Sequence, residues 1–541
     1  MPQILKQRFS LSPSTMLWTV SAFLAITGNI QFFQQTAAIY SFGEYWPFLI
    51  SQGVLLLCAI MLMATILGFF LPTRIVAAIL LITGSVAGYF SDTLGIAIDK
   101  EMIRNVFVTT TDEAFDLLNW GLVLRVMLLG AVPTIAVFLI PLKPSRILIR
   151  QGRLAGTAAL SLLVAALSIA PFGDSYASLF REHKPLRYFT NPTHPIYSAV
   201  KLAVDTGSTL DTTFEARVKS ANIPPEDASH ELVIVVIGET ARADHFGLNG
   251  YERQTTPKLS KRDHLVSFRN MQSCGTSTGV SLPCMFSLDN RSDFAIDRAG
   301  FTENTLDVLA KAGVSVLWRD NNTGSQGVAD RVTSERFNDP DRNPVCDAEE
   351  CRDIGMLSGL EEYIAGQDGD ILIVLHQIGS HGPAYFKRYP DEFAAFTPDC
   401  QSKELGTCAD ADIINAYDNT ILYTDYFLDS VISLLESKQD RYETSMIYLS
   451  DHGESLGEMG VYLHGMPYMV APEAQTHVPF IVWAGKNSDI DEAQLRPLTD
   501  APLTHDDFSK ILLQMFEIIV DDNRLASGET VLPMKPENYP H

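Results

Sequence analysis

The chain has 541 residues, with 40 Lys and Arg against 64 Asp and Glu and a formal net charge of −24. It is too long for one ordinary domain and its composition is split: residues 1–173 hold 10 basic and 7 acidic side chains, the remainder 30 and 57, a net −27. So acidic a second part excludes nucleic acid as a partner and is repelled by anionic lipid, so its membrane contacts are local.

Apolar stretches of about the 20 residues needed to cross a bilayer lie near 15–33, 47–70, 74–93, 123–142 and 154–172. A cleaved signal peptide competes for the first stretch, but four further spans behind it favour a retained anchor. Lys6 and Arg8 precede the first span, Arg74 lies between the second and third, and Lys143, Arg146, Arg150 and Arg153 lie between the fourth and fifth. The positive-inside rule makes those segments cytoplasmic and puts everything after about residue 173 outside. The organisation expected is a transmembrane domain over 1–173, a juxtamembrane connector over 174–228 and a catalytic domain over 229–541.

In the connector, Lys184, Arg187 and Lys201 mix with Phe180, Tyr188, Phe189 and Tyr197, which suits a membrane interface or an ordinary packed segment. Six of the seven cysteines lie beyond it in three close couples. In a compartment that permits oxidation, Cys274 with Cys284, Cys346 with Cys351 and Cys400 with Cys408 are the expected disulfides; free thiols or a thiolate metal site are the alternative, without C-x-x-C spacing to favour it. From 231 on, short apolar runs recur at 231–237, 314–318, 371–376, 446–450 and 478–484, with helical patterns at 305–313, 418–438 and 505–518. That alternation predicts a largely parallel α/β sheet with helices on both faces and function at the carboxyl ends of the strands.

Two such ends carry chemistry. ELVIVVI runs into Gly238-Glu239-Thr240, and the run LSDHGESLGEMGVYLHGMPY (449–468) follows another strand with Asp451, His452, Glu454 and His464. Carboxylate and imidazole donors on rigid strand ends suit zinc. The segment SCGTSTGVSLPCMFS (273–287) offers Thr276, Ser277, Thr278 and Ser281 as nucleophiles with no nearby His or Lys as base. A metal can activate a hydroxyl instead, and a helix starting there would favour a phosphate. His381 and His464, at strand-end loops, read as a second metal site or as substrate ligands.

With GETARADHFGLNGYERQTTP (238–257), WRDNN (318–322), SHGPAYFKRYP (380–390), NAYDNTILYTD (415–425) and SDHGESLGEMGVYLHGMP (450–467) also in place, the chain resembles the lipid A phosphoethanolamine transferases of the colistin-resistance type. The resemblance implies five transmembrane helices joined to a soluble α/β alkaline-phosphatase/sulfatase-like domain. It implies Thr278 as nucleophile, Glu239, Thr278, Asp451 and His452 as ligands of one zinc, and His381, His464, Glu454, Asn322 and Thr323 at a second zinc or the headgroup. It further implies phosphatidylethanolamine as donor, lipid A as acceptor, resistance to cationic peptides, and a monomer in the inner membrane of a Gram-negative bacterium with its catalytic domain periplasmic. One departure stands out: relatives usually carry lysine where this chain has Gln326, and many have a cysteine pair there that is absent here, so one cation on the phosphate is missing. The rivals are a phosphoglycerol transferase or phospholipid hydrolase of the same fold and a non-catalytic membrane sensor. A sulfatase is disfavoured, because no C-x-P-x-R or S-x-P-x-R pattern occurs at 273–290.

Overall fold

The computed structural model describes residues 10–109, 111–207, 212–225, 229–347, 350–521 and 532–535; Lys6, Arg8 and residues 226–228 lie outside them. The chain forms two compact units, one of residues 1–104 with 117–205, the other of 105–116 with 206–541.

The first unit is helical. Among the described residues four helices are long and apolar enough to cross a membrane: Phe42–Phe70, Thr73–Leu94, Trp120–Leu139 and Ile147–Glu182. The stretch expected as the first span is a pair, α1 (Pro13–Thr27) and α2 (Ile30–Ile39), bent by 56° and counting as a fifth span if taken as one. The bend has a chemical cause. Asn29 spends its amide on the Leu24 and Asn191 carbonyls, at 3.0 and 2.9 Å, and Asp92 caps the second helix by accepting from Gln31 N at 2.8 Å. Asp92 also pairs with Arg125, which donates to Thr27 O, so the break is tied to two other spans. We label the long helices α3 (Phe42–Phe70), α4 (Thr73–Leu94), α5 (Trp120–Leu139) and α6 (Ile147–Ile169). A π-helical turn at Val126–Ala131 interrupts α5.

The second unit is built on an eight-stranded sheet. Its strands are β1 (Glu231–Gly238), β2 (Leu265–Gln272), β3 (Ser315–Asp320), β4 (Thr333–Arg336), β5 (Ile371–His376), β6 (Glu443–Ser450), β7 (His477–Ala484) and β8 (Leu503–Thr504). Their order is β8-β2-β7-β6-β1-β5-β3-β4, and only β7 runs antiparallel to its neighbours. The central strands β1 and β5 are buried along their whole length, as parallel strands covered on both faces must be.

Four helices matter to the site: α7 (Thr278–Met285), α8 (Thr305–Ala312), α9 (Asp410–Glu436) and α10 (Phe508–Met515). Val233, Val235 and Ile237 of β1 share one core with residues of α7, α8 and α10, while α9 packs against β6 and β1. Local signals set the ends of α8: Asn304 Oδ1 accepts from Leu306 N and Asp307 N in a capping box, and Gly313 closes the helix at φ 107°, a conformation that costs glycine nothing. The three cysteine couples are bonded as Cys274–Cys284, Cys346–Cys351 and Cys400–Cys408.

Candidate active site

Register brings the site together. Gly238 pairs with Ser450 across the parallel β1 and β6, so Glu239 and Asp451 leave adjacent strands side by side. The turn after β1 is forced: Thr240 has φ 53°, unusual for a β-branched residue, and is held there by Tyr417 Oη donating to its carbonyl at 2.6 Å. Such local strain persists only where surrounding contacts over-determine it. Gly379, at φ 51°, passes so near that a Cβ would sit 2.9 Å from the backbone of Glu239.

Thr278 is the first residue of α7, where backbone N–H groups lack partners within the helix and the dipole favours negative charge. Its Oγ1 donates to Glu239 Oε2 at 2.9 Å and lies 3.3 Å from His452 Nε2. His452 Nε2 in turn lies 3.4 Å from both Glu239 Oε1 and Asp451 Oδ2. The four residues predicted to share a metal therefore converge. Asn322 joins them, donating from Nδ2 to Glu239 Oε2 at 2.8 Å and also contacting the carbonyl of Gln377.

The remaining predicted residues line one side of this cluster. His464 Nδ1 donates to Glu454 Oε2 at 2.8 Å, Glu454 Oε1 accepts from Tyr385 Oη at 2.6 Å, and the His464 ring lies 4.4 Å from that of His452. His381 lies 5.6 Å, ring to ring, from His464. Thr323 is further out, with Gln326 Nε2 donating to its Oγ1 at 3.3 Å.

The donor set fits a cation. Glu239, Asp451 and His452 are fully buried, yet Glu239 Oε1 and Asp451 Oδ2 have no hydrogen-bond partner among the described residues. Burial, and then the neighbouring Asp451, push the Glu239 carboxyl well above its ordinary range; burial raises Asp451 too and holds His452 well below the usual imidazole value. Uncompensated buried carboxylates are what a metal corrects. His452 Nδ1 faces the Gly453 carbonyl at 2.9 Å and must donate to it, which leaves the Nε2 lone pair toward the carboxylates. Donor atoms of Glu239, His452 and His464 lie within 4.8 Å of one another. A second grouping, Cys274, Cys284 and Asp506, is no ligand set because its sulfurs are bonded together.

Residues that the motifs did not single out hold the site rigid. Asp353 accepts from Ile378 N and Gly379 N and so fixes the loop leading to His381. Asp320 accepts from Trp318 Nε1 and pairs with His376 at 2.9 Å beneath Asn322. His505 accepts from Cys274 N at 3.1 Å and donates to Ser450 O at 3.1 Å, bracing the turn before α7 against the end of β6. Ser281, a candidate nucleophile on sequence, instead donates to the Asp451 carbonyl. Thr276 donates to Met466 O at 2.6 Å. Strand-end position could have flagged His376 and Asp320; His505 had no local signal.

Residues 231–518 match the Sulfatase family and residues 56–206 the family described as Phosphoethanolamine transferase EptA/EptB. The phosphatidylethanolamine transferase Mcr-1 of Escherichia coli is 42% identical over 530 residues, covering 95% of this chain and 96% of its own. The chain belongs to the phosphoethanolamine transferase family. The Kdo(2)-lipid A phosphoethanolamine 7''-transferase of Escherichia coli strain K12 is 30% identical over 440 residues, 76% of this chain and 75% of its own. The integral membrane lipooligosaccharide phosphoethanolamine transferase A of Neisseria meningitidis superposes with a TM-score of 0.89 at 33% identity, covering 94% of this chain and 96% of that one. The transferase fold is thus apolar N-terminal helices followed by a sulfatase-like α/β domain.

Proposed function

We propose that this transferase moves phosphoethanolamine from phosphatidylethanolamine to a phosphate of lipid A through an ester on Thr278. The observation that carries the reading is the contact of Thr278 Oγ1 with Glu239 and His452 at the start of α7. Glu239, Thr278, Asp451 and His452 would hold one zinc, which lowers the pKa of the threonine hydroxyl and adds positive charge beside the reacting phosphate.

The rest falls to the chain's own groups. Thr278 Oγ1 attacks phosphorus, the bond to the glycerol oxygen breaks, and diacylglycerol leaves with the proton. An oxygen of a lipid A phosphate then attacks the same phosphorus and frees the threonine. Asn322 and Glu239 fix the nucleophile's position, and the N-terminal N–H groups of α7 face the phosphate's charge. His464, oriented by Glu454, with His381, Asn322, Glu454 and Thr323, would hold the headgroup or a second zinc. The name of Mcr-1 carries phosphatidylethanolamine and that of the 7''-transferase carries Kdo(2)-lipid A, which supports this donor and a lipid A acceptor. The division into spans at 1–173, connector at 174–228 and periplasmic catalytic domain at 229–541, in the inner membrane and as a monomer, belongs to the same proposal. So does resistance to cationic peptides, since the product gains an ammonium group.

The test is mass spectrometry of lipid A from cells expressing the chain or its Thr278→Ala variant. The wild type is expected to add phosphoethanolamine and the variant not. A well-expressed wild type that leaves lipid A unmodified, or that turns over phosphatidylglycerol instead, overturns the reading.

A further inference from the structure

The helical unit has a basic recess at the end of its spans remote from the segment that leads into the catalytic domain. It is an open cavity of about 330 Å³ lined by Arg74, Lys143 and Arg150, with Thr73 and Ser145 among its hydroxyls. Its walls are fixed: Leu11 N donates to Pro141 O and Lys143 N to Leu11 O, at 3.0 and 2.9 Å, pinning the 141–145 turn to the start of α1. Arg74 donates to Ile140 O, and Arg150 to the carbonyls of Gly68 and Leu71.

These cations lack countercharge. Residues 10–14, 68–75 and 139–153 contain no Asp or Glu, and none of the three cations has an ion pair among the described residues. The Nε atoms of Arg74 and Arg150 are buried without a hydrogen-bond partner. Three like charges around one recess repel, and buried guanidinium donors left unpaired are costly. Each polar side chain lining the recess, Thr73, Arg74, Lys143, Ser145 and Arg150, offers donors, so the complement is an anion with several acceptor oxygens.

Around the recess the helix ends are apolar and exposed: Phe70 by 84%, Leu139 by 76%, Ile147 by 71% and Leu148 by 82%. Such surface belongs to lipid tails, and the basic residues place this end on the cytoplasmic side. We propose that the recess binds the headgroup of an anionic phospholipid of the cytoplasmic leaflet, its tails lying along α3, α5 and α6. A zwitterionic headgroup is disfavoured, because its ammonium would meet three cations. The site is therefore separate from the reaction, whose donor is zwitterionic. From it, α6 runs 23 residues, about 35 Å at the helical rise.

The experiment is native mass spectrometry of the full chain in detergent, titrated with phosphatidylglycerol or phosphatidylethanolamine. The wild type is expected to hold one phosphatidylglycerol at least about tenfold more tightly than phosphatidylethanolamine. The triple variant Arg74→Gln, Lys143→Gln, Arg150→Gln should lose roughly a hundredfold, if each cation contributes as juxtamembrane cations do. Because Arg74 and Arg150 also bond backbone carbonyls, Lys143→Gln is measured alone and should lose about fivefold. Arg146→Gln with Arg153→Gln, outside the recess, should leave retention unchanged. Equal retention of both lipids, or equal loss in the Arg146 and Arg153 variant, overturns the site. Displacement of the lipid by millimolar inorganic phosphate assigns the recess to a soluble anion and overturns the lipid reading. None of these outcomes depends on transfer activity.

Discussion

Asn322 reaches Thr278 through Glu239. Its amide nitrogen supports Glu239 Oε2, which also accepts the Thr278 hydroxyl, while its Oδ1 accepts from Thr323 N at 2.8 Å. Asn322→Ala leaves that carboxylate free to rotate, and we expect a loss of about 10- to 100-fold in metal affinity or transfer rate. Zinc content after dialysis and the transfer rate measured together check it; unchanged values in both would show that Glu239 needs no such support. At Gln326 the backbone already has φ 52°, so Gln326→Lys adds a cation without new backbone strain. KM for phosphatidylethanolamine should then fall several-fold with little change in kcat, and an unchanged KM would place the residue away from the phosphate. The convergence of Glu239, Asp451 and His452 at strand ends was legible because β1 and β6 are plain apolar runs. Which of the four hydroxyls in the turn at 273–287 meets Glu239 and His452 was not legible from residue type, since they are chemically alike; only the family's motif pointed to Thr278. Asp353 acts across more than 20 residues and His505 across 231 to Cys274 and 55 to Ser450, and local pattern carries no trace of such partners.

At the scale of elements, α9 is clamped by a carboxylate with a pH signature. Asp425 accepts from Lys258 N and Leu259 N at 2.9 Å each, and burial pushes its carboxyl up to about 6. The folded value exceeds the unfolded one of about 3.9. Its stabilising contribution is therefore full below that unfolded value and disappears as pH rises through about 6. In unfolding midpoints measured from pH 4 to 7, wild type should lose about 2 to 3 kcal/mol relative to Asp425→Asn. Parallel curves for the two proteins would mean that the carboxyl titrates normally. Elsewhere the legible strands were those with unbroken apolar runs. LVSFRNMQ hid β2, since two exposed polar residues interrupt it. The direction of β7 was hidden too: residues 451–476 join β6 to β7 through short turns and a two-stranded hairpin, without the crossover helix that a parallel partner requires.

At the scale of the molecule, residues 105–116 belong with the catalytic unit although spans flank them on both sides. Asp116 lies 2.7 Å from Lys403, 3.3 Å from Arg388 and 3.6 Å from Lys387. Arg388 also donates to the carbonyl of His381 at 2.7 Å, so this segment reaches the loop that carries His381. A protease site inserted at residue 212 provides a test. After cleavage, the catalytic fragment should still coelute with the helical fragment at low ionic strength and separate near 1 M salt, where screening is strong. Asp116→Asn should separate at low salt; a wild-type fragment that does so shows the ion pairs to be dispensable.

The passage of the chain between its two units at three places, near 104, 116 and 205, makes the catalytic unit a guest of the membrane part as well as its continuation. A fragment beginning in the connector is missing a piece of itself: it presents Arg388, Lys387 and Lys403 without Asp116, an acid that pairs with all three. Shedding such a fragment would thus resemble the dissociation of a complex, with a rate set by salt, more than the cutting of a leash.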